Sequence, residues 1–332
     1  MNPASCPPAT PRVSVAMITY NHVRYITEAV ESVVSQKTAF PFEVVIGDDV
    51  STDGTREKVI ELQQKYPDKI RLLLHEKNLG GVGKPNFAAT LTACRGDFIA
   101  YLEGDDYWDA TDKLQRQVEF LEAHPEYVGC FHDIRMLVTG TGIQEHSMTY
   151  PSETVRVGLS QMLQHGFPHL MTMMYRRGTV AAFPDWFFQM GMGDWAFFSM
   201  LVSRGPMAFL RNWPVGVYRI HGTGYWLGRP FVDRTLDEIK AYRTLMRVYG
   251  PEHHPVLRHK LNMHQFWLIN AHQEQKNPAA ARAAFWEAVA GWPRYRGVSL
   301  INVIRYALSL YVPWLLTGLR RLRHGANPAS SP

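Results

Sequence analysis

Cysteine is scarce in this chain. Cys6, Cys94 and Cys130 stand alone, and no CxxC pair occurs. Such spacing supports neither a structural zinc site nor a disulfide framework, and a reducing compartment is the simplest setting. No long Lys/Arg run marks a nucleic-acid tail, so nucleic acid is not an expected partner. The opening stretch, Met1–Pro11, holds four prolines and no apolar core of a secretory signal, and reads as a short disordered leader. Charged residues make up only 20% of the 332, against 46% hydrophobic, which excludes wholesale disorder. The length suits one large domain with an appendage, or roughly two ordinary domains. The net charge of +5 suits an anionic small substrate or an anionic membrane face.

What is present begins with alternation. Val13–Ile18 is a short apolar run ending at Thr19-Tyr20-Asn21, the pattern of a buried strand entering a loop. Val23, Ile26, Val30, Val33 and Val34 recur at helical spacing. Phe42–Ile46, Ile70–Leu74 and Phe98–Leu102 repeat the strand pattern, with helices expected from about Thr55 and over Ala88–Cys94. This rhythm implies parallel crossovers and a sheet covered on both faces, with ligands bound beyond the carboxyl ends of the strands. From about Tyr127 the character becomes α+β. Strands are expected at Tyr127–Phe131, Leu170–Tyr175 and Ala208–Ile220, and a helix at Trp195–Val202. Beyond Pro230 only helices are expected, at about 231–249, 256–274, 278–290 and 298–323.

Two strands end in acidic clusters. In Glu103-Gly104-Asp105-Asp106 the carboxylates repel one another, and a divalent cation resolves that conflict. Magnesium or manganese is commonly held by one or two carboxylates, with substrate phosphates completing its shell. The plainer alternative is a solvated acidic turn before a helix start carrying Asp109 and Asp112. Asp48-Asp49-Val50-Ser51-Thr52-Asp53-Gly54-Thr55 forms the second cluster. There a carboxylate can accept the imide N–H of uracil or thymine, while Ser51 and Asp53 serve equally as helix caps.

Taken together, Val13–Asn21 (VSVAMITYN), Asp48–Thr55 (DDVSTDGT) and Leu102–Trp108 (LEGDDYW) resemble, in order and spacing, the family 2 glycosyltransferases. The third motif resembles a subgroup associated with bacterial capsule, exopolysaccharide and lipopolysaccharide assembly. Gly193-Asp194-Trp195 and Tyr218–Gly224 (YRIHGTG) are similar to later motifs of that subgroup. The resemblance implies an α/β GT-A fold, with a Rossmann-like, mostly parallel sheet over residues 12–228. A helical C-terminal extension, 229–332, would follow. It implies an inverting transfer of a sugar from a nucleotide diphosphate, UDP by default, to a saccharide or lipid-linked saccharide hydroxyl in surface polysaccharide synthesis.

The resemblance also implies site roles. Tyr20 lies against the nucleobase and Asp49 contacts it, with Thr19 and Asn21 beside them. Asp105 approaches the ribose or the metal, Asp106 ligates Mn2+ or Mg2+, and His221 sits near the metal or diphosphate. A structural hydrogen bond is the alternative for His221. Glu103 stands where the family usually has aspartate, and Val50 where it has a small residue. In the Gly-rich stretch Asn78–Asn86, Lys84 adds charge near the diphosphate and Asn86 joins the donor site; otherwise the stretch is a flexible connection. Asp194 is the expected general base and Trp195 an acceptor wall, the alternative for Asp194 being a helix cap. Trp108, Trp186, Trp213 and Trp226 read as core or acceptor-wall aromatics.

Residues 298–319 are strongly apolar but interrupted by Arg305 and Pro313, then closed by Arg320, Arg321, Arg323 and His324. This reads as an interfacial helix with a basic end at the inner face of the cytoplasmic membrane. Its soluble alternative is docking on the catalytic domain or on a second copy in a homodimer. Two rival functions remain: a nucleotidyltransferase, disfavoured by Thr19-Tyr20-Asn21-His22 after the first strand, and a catalytically silent carbohydrate-binding scaffold.

Overall fold

In the computed structural model the opening alternation forms strand β1 (Val13–Thr19), helix α1 (Ile26–Val34), β2 (Phe42–Asp48), α2 (Thr55–Lys65), β3 (Ile70–Leu74), α3 (Lys84–Ala93) and β4 (Phe98–Glu103). Helix α1 buries Ile26, Ala29, Val30, Val33 and Val34, the one-face spacing of an amphipathic helix. The chain continues through β5 (Tyr107–Trp108), α4 (Lys113–Ala123), β6 (Gly129–His132), β7 (Ile134–Val138), β8 (Gly142–His146), β9 (Arg156–Val157) and α5 (Leu159–His165). Then come β10 (Met174–Arg176), α6 (Asp185–Gln189), α7 (Gly193–Val202), β11 (Met207–Leu210) and β12 (Gly216–Ile220). Helices α8 (Phe231–Val248), α9 (His254–Glu274), α10 (Pro278–Tyr295) and α11 (Leu300–Tyr311) follow.

The structure describes residues 10–138, 140, 142–146, 150–151, 156–213, 215–221, 226, 228–295 and 297–312. Most of the expected leader, residues 222–224 of the YRIHGTG motif and the expected helical residues 313–323 lie outside these. The chain divides into two units, residues up to 189 with 193–224, and 190–192 with 225 onward.

In the first unit an eight-stranded sheet runs β3-β2-β1-β4-β10-β6-β11-β9. Strands β3, β2, β1 and β4 are mutually parallel, and β10 is antiparallel to both its neighbours. The chain leaves β1 toward β2 and β3, then returns to β4 on the other side of β1. That reversal makes the β1–β4 junction a topological switch point, where the loops beyond the strand ends diverge and leave a crevice. The register aligns the ends: Ile18 lies opposite Glu103, and Thr19 opposite Asp48. Beneath them Val13, Val15, Met17, Val44, Ile46, Ala100 and Leu102 form the core with α1. A smaller sheet, β5-β12-β7-β8, carries the chain straight out of the acidic turn.

The structure corrects three element boundaries. Helix α3 starts at Lys84, not Ala88: Gly83 takes the left-handed φ of 72° before it, and Pro85 fits a first turn that needs no N–H donor. Leu170–Thr172 is a single 3₁₀ turn, and only Met174–Arg176 is strand. Ala208–Ile220 divides between two sheets, because Asn212 at φ 58° turns the chain between β11 and β12.

The second unit is helical. Helices α8 and α9, α9 and α10, and α10 and α11 pack in succession around Phe266, Ile269, Ala281, Phe285 and Ala288.

Strand β2 and helix α3 meet at glycine. A Cβ on Gly47 would lie 2.1 Å from Thr90 Oγ1 and 2.3 Å from Asn86 Oδ1. Gly47→Ala is expected to destabilise the protein by about 1–3 kcal/mol through overpacking. Urea denaturation reads this directly; an unchanged midpoint would mean that Asn86 swings aside at no cost.

Candidate active site

The loop after β1 is held by its neighbour. Asn21 adopts a left-handed φ of 58°, accepts from the Thr52 N–H at 2.8 Å and donates its own N–H to Ser51 Oγ at 3.0 Å. Ser51 therefore braces this loop rather than capping α2. Asp53 does act at that helix start, accepting from the Thr55 N–H, and also from the Val23 N–H, each at 3.0 Å. Asp48 is fully buried and accepts from Arg56 Nε at 2.6 Å. Asp49 is 4% exposed, and its Oδ1 accepts from the Leu79 N–H at 2.7 Å. It thereby ties the β3–α3 loop to the end of β2. Between the aspartates and Ser51, Val50 sits at φ 63°, a costly conformation for a β-branched residue. Tyr20 is 48% exposed beside this pair of loops.

The acidic turn packs against the same loop. The Gly104 N–H donates to the Ile18 carbonyl at 3.0 Å. A Cβ there would lie 2.8 Å from Thr19 Oγ1 and 3.0 Å from His22 Nδ1, so only glycine permits the approach. Glu103, Asp105 and Asp106 each present a carboxylate oxygen, all within 4.8 Å of one another. Burial, and then the charges of Asp105 and Asp194, raise the Glu103 carboxyl. Burial followed by Asp105 and Glu103 raises Asp106 well above the usual carboxylate range. Burial would raise Asp105 too, but its bond to His221 and the nearby His22 and His221 outweigh this and lower it. His221 Nε2 lies 3.1 Å from Asp105 Oδ2, and His22 Nε2 3.7 Å from it.

Arg219, which the sequence pattern did not single out, anchors this turn. Its backbone N–H donates to Asp106 Oδ1 at 2.8 Å and its guanidinium to the Asp105 carbonyl at 2.7 Å. The same guanidinium pairs with Glu28 of α1 and lies 4.4 Å from the Tyr107 ring centroid. A signal existed: Arg219 and His221 are two residues apart at the end of β12 and so share a face. Tyr101 was missed for a similar reason. It lies two residues before Glu103 on β4, is fully buried, and its hydroxyl has no partner. Burial raises the Tyr218 phenol first, followed by Glu103, Asp106, Asp105 and Asp194, so this ring borders the same acids.

Asp194 stands in the first turn of α7, with burial pushing its carboxyl up to about 6 despite backbone N–H bonds from its own residue and Trp195. Its charge acts on Glu103, so the two expected functional carboxylates share one region. Trp195 stacks on Phe167, ring centroids 5.1 Å apart. Lys84 donates its ammonium to the Phe188 carbonyl, tying α3 to α6. Asn86, expected at the donor, is instead 1% exposed: its Nδ2 donates to the Gly47 carbonyl and its Oδ1 lies 3.0 Å from His75 Nε2. Trp108 and Trp213 are buried core residues.

The donor set fits a hard divalent cation. Asp106 Oδ2 is buried with no hydrogen-bond partner, and so are Thr19 Oγ1 and His22 Nδ1 nearby. Unpartnered buried oxygens beside crowded carboxylates are what an oxygen-seeking ion satisfies.

A family model described as Glycosyl transferase family 2 matches residues 14–182. The chain belongs to that family. An uncharacterised Mycobacterium tuberculosis protein is 34% identical over 214 residues, 64% of this chain and 60% of the relative. The chain thus spans less than two thirds of that relative's length. The Staphylococcus aureus poly(ribitol-phosphate) beta-N-acetylglucosaminyltransferase TarS is 37% identical over 118 residues, 34% of this chain and 19% of TarS. The structure of its residues 1–349 with UDP-GlcNAc superimposes with a TM-score of 0.62 at 20% identity, covering 96% of this chain and 93% of that one. A Pyrobaculum calidifontis mannosyltransferase with GDP-Man and Mn2+ gives 0.55 at 21%, covering 92% and 83%. These likenesses establish the GT-A fold, with its mostly parallel central sheet and helical C-terminal region.

If the acidic turn holds a divalent cation, Mn2+ or Mg2+ at a hundred times its Kd stabilises the fold by about 2.7 kcal/mol. Thermal melts are expected to rise with either ion and to return on chelation. In Asp106→Asn the rise disappears; an equal rise in that variant would place the ion elsewhere.

Proposed function

We propose that this family 2 chain is an inverting, metal-dependent glycosyltransferase. It takes a sugar from a nucleotide diphosphate, UDP foremost, and transfers it to a hydroxyl of a saccharide or lipid-linked saccharide. The EGDDYW motif and the relation to TarS favour a place in bacterial surface polysaccharide assembly, on the cytoplasmic side. The observation that carries the reading is the gathering of Glu103, Asp105 and Asp106 at the switch-point end of the sheet, electrostatically coupled to Asp194.

In this reading Tyr20 offers its exposed ring to the nucleobase, and Asp49 accepts from the base edge. Asp105, Asp106 and His221 would hold the cation, with Glu103 beside them. When bound, such an ion stabilises the negative charge on a departing diphosphate, worth roughly several kcal/mol. Asp194 Oδ takes the proton of the acceptor hydroxyl. The acceptor oxygen forms its bond to the anomeric carbon while the bond from that carbon to the diphosphate oxygen breaks, and the nucleotide diphosphate leaves with the electron pair. One displacement inverts the anomeric centre. Trp195 walls the acceptor side.

Burial of Asp194 serves this role, since a base is most effective with a pKa raised toward the working pH. It also costs stability. The folded state binds this proton more tightly than the unfolded chain, so the Asp194 contribution declines as pH rises from the ordinary 3.8 to about 6.

Asp194→Asn is expected to lower transfer by about 10²–10⁴-fold while leaving donor affinity unchanged. The wild-type rate should climb with pH and level off above about 6, where the base is ionised. A panel of UDP-, dTDP- and GDP-sugars, each with manganese, magnesium or chelator, reads donor choice and metal need together. Normal turnover by the Asn variant would remove Asp194 from the chemistry. Absence of donor binding across the whole panel would favour a silent scaffold.

A further inference from the structure

The outer side of α11 is apolar and bare. Its inner side seats Val303 and Leu310 in the core of the helical unit. Two polar ties set its roll, Asn270 Nδ2 to the Tyr306 hydroxyl at 3.0 Å and Gln273 Nε2 to Ser309 Oγ at 3.1 Å. With those positions turned toward α9, Leu300, Ile301 and Ile304 point outward, 56%, 71% and 50% exposed. Two turns beyond Ile304 on the same side of the helix, Tyr311 is 46% exposed and accepts from Trp286 Nε1 at 2.8 Å, while the Trp286 ring is itself 60% exposed. A grouped patch of this kind marks an interaction surface rather than scattered surface apolarity.

Charge selects the partner. Residues 288–332 contain Arg294, Arg296, Arg305, Arg320, Arg321 and Arg323 and no Asp, Glu or Lys. That exceeds the net charge of the whole chain, +5, so the positive excess of the protein is concentrated here. Arg305 stands exposed on α11 beside Ile301 and Ile304. Self-pairing of the stripe through a two-fold axis would bring Arg305 toward its own copy, like charge on like. An anionic lipid surface complements both features: the positive charge of this part of the sequence attracts it, acyl chains receive the aliphatic stripe, and Trp and Tyr suit the boundary between them. No described helix is long and apolar enough to cross a membrane, so a helix lying in the interface is the matching geometry.

We infer that the Leu300–Ile301–Ile304 stripe of α11, with Trp286, Tyr311 and Arg305 at its margin, is the surface by which this protein docks on an anionic membrane. The inference is independent of the catalytic reading, since none of these residues belongs to the acidic site.

The test uses the full chain and sedimentation with vesicles of phosphatidylcholine alone or with about one third phosphatidylglycerol, a composition that supplies the negative surface potential. Wild type is expected to sediment with the anionic vesicles, weakly with the neutral ones, and less in high salt. Leu300→Ser/Ile301→Ser/Ile304→Ser should weaken partitioning at least about tenfold, as expected from losing three inserting apolar side chains. Arg305→Glu should reduce the preference for anionic lipid. Both variants should keep the wild-type circular dichroism and thermal melt. Failure of wild type to bind anionic vesicles, or equal binding by the triple variant, overturns the proposal. So does light scattering that shows a wild-type dimer dissociated by the triple substitution, which would assign the stripe to a second copy.

Discussion

Mutual repulsion among crowded carboxylates is the constraint around which the first unit is organised. Glu103, Asp105 and Asp106 converge within 4.8 Å at the end of a buried strand, where each negative charge raises the cost of the next. The protein answers with asymmetry. Asp105 receives His221 and His22 and stays acidic, whereas Asp106 is secured by one backbone N–H and keeps an oxygen without a partner. A site arranged in this way keeps a carboxylate oxygen ready for a cation.

Much of the surrounding architecture supports that turn. The tight β1–β4 approach requires Gly104, and the loop after β1 is pinned to the loop after β2 through Asn21, Ser51 and Thr52. The second sheet acts at the same point, because β5 leaves the acidic turn and pairs with β12, delivering Arg219 and His221 to it. Arg219 in turn reaches Glu28 on α1, so the helix after the first strand and the last strand of the unit are joined across the site. Strain is tolerated nearby, with Val50 held at positive φ between the Asp48-Asp49 pair and Ser51. Such strain persists where neighbouring bonds over-determine the backbone, as Asp49 and Asn78 do here.

The sequence pattern disclosed the elements that obey a simple period. Strands β1 to β4 and helix α1 were legible because burial on both faces gives unbroken apolar runs and burial of one helix face gives i, i+3, i+4 spacing. Boundaries set by backbone conformation were not. Helix α3 begins four residues before the expected place because glycine and proline, ordinarily punctuation, here form its entry. The segment from Ala208 to Ile220 has one continuous apolar character, yet a single left-handed residue, Asn212, sends its halves into different sheets.

For the site, the sequence by itself determined which acids stand at strand ends, because a motif of adjacent residues carries its own local geometry. Asp49 accordingly follows the end of β2, and Glu103, Asp105 and Asp106 lie at and just beyond the end of β4. What each side chain meets was set by the packing of distant segments. It turned Asn86 inward to the carbonyl of Gly47, and it set Arg219 against Glu28 across 191 positions of sequence. It also brought Tyr101 and Tyr218 beside the acids. Partnerships of that kind depend on strand register and loop closure between distant segments, and hydrophobic period in one segment holds no information about the segment that will face it.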